Sequence, residues 1–248
     1  DMIENATEPS TCEGIALNQS AYWVPALLSA DGTRLEYKEV LFYYKSGYHL
    51  PGDIIQAPPE GLVMISGHDM SQPQDVVSAK YRCESWEAPL PQFDEGDPMD
   101  HVPYLPKCQV GDLLEFRVVF PQCWDGVNLT SDDKRSHMSY PIPAETPFTG
   151  TGRCPDSHPI AIPEISYKFA VMVTNSTGPS DTWYLSSDMK ELHPNGSSLH
   201  GDWMNGWDSD IMDLIINNCI NPGYDCDVGL LGDGTRLQEV LITQNGDD

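Results

Sequence analysis

Leu114-Glu115-Phe116-Arg117-Val118-Val119-Phe120 is the run that decides the fold. Leu114, Phe116, Val118 and Phe120 fall on one side of a two-residue repeat, with Glu115 and Arg117 on the other, as a half-buried antiparallel strand requires. A helix would scatter those four apolar side chains around its axis. Working outward, Tyr167-Lys168-Phe169-Ala170-Val171-Met172-Val173 repeats the pattern. Val40-Leu41-Phe42-Tyr43-Tyr44 and Leu62-Val63-Met64-Ile65 read as further strands. Ala21 to Leu28 reads as one more, in which Pro25 marks an edge or a bulge. Asp31-Gly32 predicts a type I′ hairpin turn with both central residues at positive φ. Asp-Gly-Thr-Arg-Leu recurs at 233–237, and each copy is followed by Glu-Val-Leu. Two hairpins with the same turn chemistry are the expected reading.

One helix is predicted near the C-terminus. Asp208 or Ser209 caps it, Ile211, Leu214, Ile215 and Cys219 form its apolar face, and Asn221-Pro222-Gly223 stops it. Cys219 and Cys226 are placed to close the following loop by a disulfide. The fold expected is therefore mostly β: an antiparallel β-sandwich or jelly-roll-like pair of sheets, with long loops and one short C-terminal helix. Residues 1–248 read as a single domain with an acidic, proline-rich loop at 84–106, whose carboxylates lack the ordered spacing of a calcium loop.

Composition narrows the partners. The 248 residues carry 38 acidic against 13 basic side chains, a net charge of −25. Such a surface repels phosphate backbones, so nucleic acid and anionic membranes are poor partners. No apolar run approaches the roughly 20 residues of a membrane span. Seven cysteines, none in a C-x-x-C pair, read as disulfides of an oxidising compartment, with one left over. Asn5, Asn18, Asn128, Asn175 and Asn195 each open an N-x-S/T sequon; ten asparagines and 32 serines plus threonines in 248 residues leave roughly 1.3 to chance (10 × 32/248). A secreted glycoprotein is the expectation. Asp1-Met2-Ile3 has neither the basic nor the apolar region of a signal peptide, so the chain reads as mature, trimmed or a fragment.

Serine-hydrolase elbows, H-E-x-x-H helices and phosphate loops are missing from the sequence. Polar clusters set among aromatics remain. His137, His158 and His200, with Asp125 and Asp202, supply imidazoles and carboxylates for general acid–base catalysis or for a metal such as zinc or copper. The residues themselves fix neither a metal nor a cofactor. Trp124, Trp203 and Trp207, beside Asn205 and Asp208, offer the rings and polar groups that a sugar stacks on and bonds to.

These clusters occur in order as Ala21-Tyr22-Trp23-Val24-Pro25, Cys123-Trp124-Asp125-Gly126, Ser136-His137-Met138-Ser139-Tyr140-Pro141, Cys154-Pro155-Asp156-Ser157-His158-Pro159 and His200-Gly201-Asp202-Trp203-Met204-Asn205-Gly206-Trp207-Asp208. Together they resemble the family known as the domain of unknown function numbered nineteen ninety-six, over about residues 12–220. The resemblance implies a secreted protein, in a family with some members joined to carbohydrate-binding modules, and no established activity. The H-x-H-x-F-F-G-like segment that usually opens the family is expected to be missing here, and a cysteine in it would account for the odd count. Two functions follow as expectations. One is an extracellular domain that binds or acts on a polysaccharide or glycan at a His/Asp/Trp cleft. The other is a non-catalytic, self-associating subunit of a cell coat or extracellular filament.

Overall fold

The strand around Phe116 is an inner member of a four-stranded antiparallel sheet in the computed structural model, which describes residues 14–45, 53–68, 78–85, 102–142, 152–189, 193–226 and 229–237. In chain order the strands are β1 (Ala21–Trp23), β2 (Leu27–Leu28), β3 (Glu39–Lys45), β4 (Val63–Gly67), β5 (Ala79–Ser85), β6 (Asp112–Val119), β7 (Cys123–Trp124), β8 (Met138–Ser139), β9 (Ile160–Ala161), β10 (Glu164–Met172), β11 (Tyr184–Leu185) and β12 (His200–Met204). The large sheet runs β3-β10-β6-β5 and a second runs β1-β12-β4; β8-β7-β9 and β11-β2 complete the described pairings. The described pairs are antiparallel, and the fold is mostly β.

The two larger sheets pack face to face. Leu114, Phe116, Val118 and Phe120 are fully buried, and Phe116 stacks on Phe169 with ring centroids 5.0 Å apart. From the other sheet, Trp203 and Met64 point into the same core, joined by Tyr22. Gly201 shows how close the layers come: a Cβ there would lie 3.0 Å from the Tyr167 ring and 3.2 Å from Phe120. The Tyr167 hydroxyl crosses the gap to the Asp202 carbonyl at 2.8 Å. Each large apolar side chain buried here contributes roughly 1.5–3 kcal/mol, offset by the entropy of ordering it.

Several local expectations are refined. Pro25 splits the first strand into β1 and β2. At Asp31-Gly32 only Gly32 has positive φ (89°), and Ser29 N–H donates to the Thr33 carbonyl at 2.9 Å. That is a three-residue loop with glycine in the left-handed position rather than a type I′ turn. Asp31 Oδ1 fixes it by accepting from Thr33 N–H at 3.0 Å. The 233–237 copy is built alike: Gly234 has φ 96°, and Thr235 N–H donates to Asp233 at 2.8 Å. Both are hairpin turns, closed by the bridges Leu28–Arg34 and Leu230–Arg236.

The helix α1 (Ser209–Ile215) starts at Asp208, whose carboxylate accepts from Asp210 and Ile211 N–H. It continues as a wide π-helical turn over Ile216–Ile220. That turn shifts the buried line to Ile211, Met212, Ile216, Cys219 and Ile220, leaving Leu214 and Ile215 half-buried. Three disulfides form: Cys83–Cys108, Cys123–Cys154 and the expected Cys219–Cys226. Cys12, Asn5, residues 86–101 of the acidic loop and the second Glu-Val-Leu at 239–241 lie outside the described residues. Among the described residues no helix is long and apolar enough to cross a membrane.

Candidate functional site

The motif from His200 to Asp208 divides cleanly between scaffold and surface. β12 alternates, so Gly201 and Trp203 face the core while His200, Asp202 and Met204 face outward. Trp203 Nε1–H and Trp207 Nε1–H both donate to the Tyr44 hydroxyl at 3.1 Å. Tyr44 and Tyr22 share a further bond at 2.8 Å. Asn205 is buried and donates to the Pro58 and Pro59 carbonyls, Gly206 has no room for a Cβ against Gln19, and Asp208 caps α1. Trp203, Asn205, Trp207 and Asp208 are thus structural, and the two tryptophans offer no open ring to a ligand.

Asp125, Trp124, His137 and His158 gather around the small β8-β7-β9 sheet, yet most of their polar atoms are already used. Asp125 accepts from Val127 N–H, Asn128 N–H and Asn128 Nδ2–H. Burial pushes its carboxyl up, but those bonds outweigh it and hold the pKa low. Trp124 Nε1–H donates to the Asn128 carbonyl at 2.7 Å. His158 bonds Ser157 through Nδ1 and the Ser136 carbonyl through Nε2. His137 is buried against Ser131, which itself donates to Asp133. Burial, only partly opposed by the Val63 backbone, Asp125 and Asp133, pulls the His137 pKa down and favours its neutral form.

His200 and Asp202 stand elsewhere, on the outward face of the β1-β12-β4 sheet. Trp23 is the direct cross-strand partner of Asp202, and Ile65 is its partner on the other side. Trp23 leaves 44% of its surface in solvent. Arg135 reaches the same face and donates to the Gly67 carbonyl at 3.1 Å. Among the described residues the Asp202 carboxylate accepts no hydrogen bond, and His200 uses only Nδ1, on the Ser198 carbonyl at 2.7 Å. Half-burial pushes the Asp202 carboxyl up, with His200 and Arg135 only partly opposing it. A flat indole beside unspent donors and acceptors is an arrangement that binds a polar ligand with an apolar face.

The structure therefore separates the five expected catalytic residues: Asp125, His137 and His158 in one group, His200 and Asp202 in another. No group of three or more His, Cys, Asp or Glu among the described residues is placed to hold a metal ion. Sequence reading missed Trp23 and Arg135 as candidate site residues. The signal for Trp23 was available: with Tyr22 turned inward, strand alternation sends the next residue outward.

Also unforeseen is the outward side of the large sheet. Glu115 is only 1% exposed and lies among Arg82 at 2.9 Å, Arg117, and Lys168 at 3.3 Å. Burial pushes its carboxyl up, but Arg117, Arg82 and Lys168 outweigh that and bring it down to about 2. On the same face Glu164, bonded by Gln122 at 2.9 Å, is pushed up by burial. Lys80 is brought down to about 8, by burial first and then by Arg117.

The sequons differ as sharply. Asn175 is exposed with its carboxamide unengaged among the described residues. Asn128 is exposed and tied to Asp125. Asn195 is half-buried, its carboxamide reaching the Asp181 carbonyl at 3.4 Å. Asn18 is only 4% exposed and bonded to Tyr22 and to the Ser20 amide.

No curated protein and no solved structure matches this chain. A family profile does match, described as "Domain of unknown function (DUF1996)", over residues 1–207. With most of its length under that profile, the chain belongs to the DUF1996 family.

Proposed function

We propose that this protein is an extracellular carbohydrate-binding domain whose site is the outward face of the β1-β12-β4 sheet. The observation that carries the reading is an exposed Trp23 ring directly across the strand pair from an Asp202 carboxylate that has no hydrogen-bond partner among the described residues. A pyranose presents a C–H face to stack on the indole and a rim of hydroxyls to bond a carboxylate, an imidazole and a guanidinium. Asp202 supplies the carboxylate directly across the strand pair from the ring, and His200 Nε2 and Arg135 supply the other two groups farther along the same face. Three disulfides and the excess of sequons support an oxidising secretory compartment, where such ligands are met.

The test is a glycan-array screen followed by calorimetry on the hits. Wild type should bind at least one soluble oligosaccharide, and Trp23→Ala should weaken it by about tenfold or more, the loss of one stacked ring plus its buried area. Thermal melting should show the variant still folded. Binding unchanged in Trp23→Ala, or silence across the array, would defeat the reading and leave the coat-subunit alternative.

A further inference from the structure

We infer that the ligand of this face is a linear, uncharged glycan of about three sugar units, laid across the strands from Trp23 to Arg135. The inference rests on the carbohydrate reading above and adds the length, direction and charge of the ligand.

The direction comes from register. Trp23, Asp202 and Ile65 form one row across β1, β12 and β4. Beyond β4 the chain from 129 to 135 runs along the open edge: Val63 N–H donates to the Leu129 carbonyl at 2.9 Å and Ile65 N–H to the Lys134 carbonyl at 3.0 Å. This segment is a turn rather than a strand, but its two bonds hold it against β4 at about the spacing of one more strand. Neighbouring strands lie about 4.8 Å apart, so the row from Trp23 to the 129–135 segment spans about 15 Å, or roughly three sugar rings end to end.

Arg135 is fixed at the far end. Asp133 Oδ1 accepts from Arg135 N–H at 3.0 Å and from Ser136 N–H at 2.8 Å, closing a tight turn. In that turn Lys134 has φ 59°, unusual for a residue other than glycine. Of the guanidinium, only Nη1 is engaged among the described residues, on the Gly67 carbonyl. Its remaining donors face a ligand as a planar fork suited to adjacent hydroxyls. The charge follows from the whole row. Asp132 and Asp133 offset Lys134 and Arg135 in the 129–135 segment, which leaves Asp202 as the net charge of the row, so an anionic polymer gains no attraction there.

The test is calorimetry with neutral oligosaccharides of one to five units from the series found by the array, alongside uronate-bearing oligomers of equal length. Affinity should climb about tenfold or more between one and three units and then level off. Arg135→Ala should lower the three-unit ligand about tenfold, to the level of the two-unit one, as expected for one charge-assisted hydrogen bond. Raising salt should leave the neutral ligand's affinity unchanged, since no net charge is neutralised. If a single sugar binds as well as three, or the uronates bind better, this inference falls while carbohydrate binding stands. If no member of any series binds, both fall together.

Discussion

The two sheets each turn a polar face away from their common core, and the two faces handle a carboxylate in opposite ways. On the large sheet, Glu115 is closed in by Arg82, Arg117 and Lys168, and its pKa falls to about 2. On the smaller sheet, Asp202 is half-buried beside Trp23 with no hydrogen-bond partner among the described residues, and its pKa rises. Burial raises both; only the cations at bonding distance reverse it. A carboxylate whose pKa is lowered by surrounding cations stabilises the fold, whereas one left raised and unpartnered on an open face is available to a ligand. The first face is architecture and the second is the proposed site.

The largest effect that would break this comparison is expected at Glu115. Glu115→Gln keeps the shape but leaves three cations without their shared charge. Removing one partner of a buried ionic cluster costs about 3 kcal/mol or more, read by urea denaturation at pH 7. The cost should depend on pH in a defined sense. The folded pKa of Glu115, about 2, lies below its ordinary value of 4.5, so its contribution is full above pH 4.5 and is lost as pH falls through 2. Wild type and variant should therefore converge on acidification. A difference under about 1 kcal/mol at pH 7, against the 3 expected of a buried ionic cluster, would show the large sheet's outer face to be loosely solvated, and the contrast with Asp202 would disappear.

A smaller effect is expected at Tyr44, which decides why only half of the His200–Asp208 motif faces solvent. Its hydroxyl accepts from both Trp203 and Trp207 and bonds Tyr22. Tyr44→Phe leaves two buried indole N–H groups without that acceptor, a loss of about 2 kcal/mol in thermal or denaturant unfolding. Oligosaccharide affinity should stay unchanged, because the ring proposed to meet the ligand is Trp23. A variant of wild-type stability that binds sugar more weakly would place the buried tryptophans in the site after all.

How much of this was legible depends on the range of the interaction. The alternation at 114–120, the cap at Asp208 and the Cys219–Cys226 bridge are set by neighbours within a few residues, and sequence periodicity carries such information. The two-residue repeat assigned Arg117 and Glu115 to one side correctly, but it could not tell a solvated side from one closed by Arg82 and Lys168 on other strands. The site was least legible for the same reason. Trp23 and Asp202 meet only because β1 pairs with β12, a register fixed by packing between segments far apart in the chain. Trp203 and Trp207 were equally rich in aromatic surface, and burial alone separates them from Trp23.

The smallest effect sharpens the comparison most directly, because it asks whether Asp202 lowers stability where Glu115 raises it. Asp202 has its folded pKa above its ordinary value of 3.8, so the folded state binds its proton more tightly than the unfolded chain does. Stability then declines as pH rises from 3.8 through the raised pKa, and stays lower by a constant amount above it. Asp202→Asn removes that titration. It should be equal to wild type near pH 3 and slightly more stable at pH 7, by at most about 0.5 kcal/mol for a half-exposed group. The same variant should bind the three-unit oligosaccharide more weakly at pH 7, since an amide accepts fewer hydroxyl bonds than a carboxylate. Stability and binding moving in opposite directions is the outcome this face requires. A variant that loses stability at pH 7 would make Asp202 a second Glu115, part of the scaffold, and would leave Trp23 without its polar counterpart.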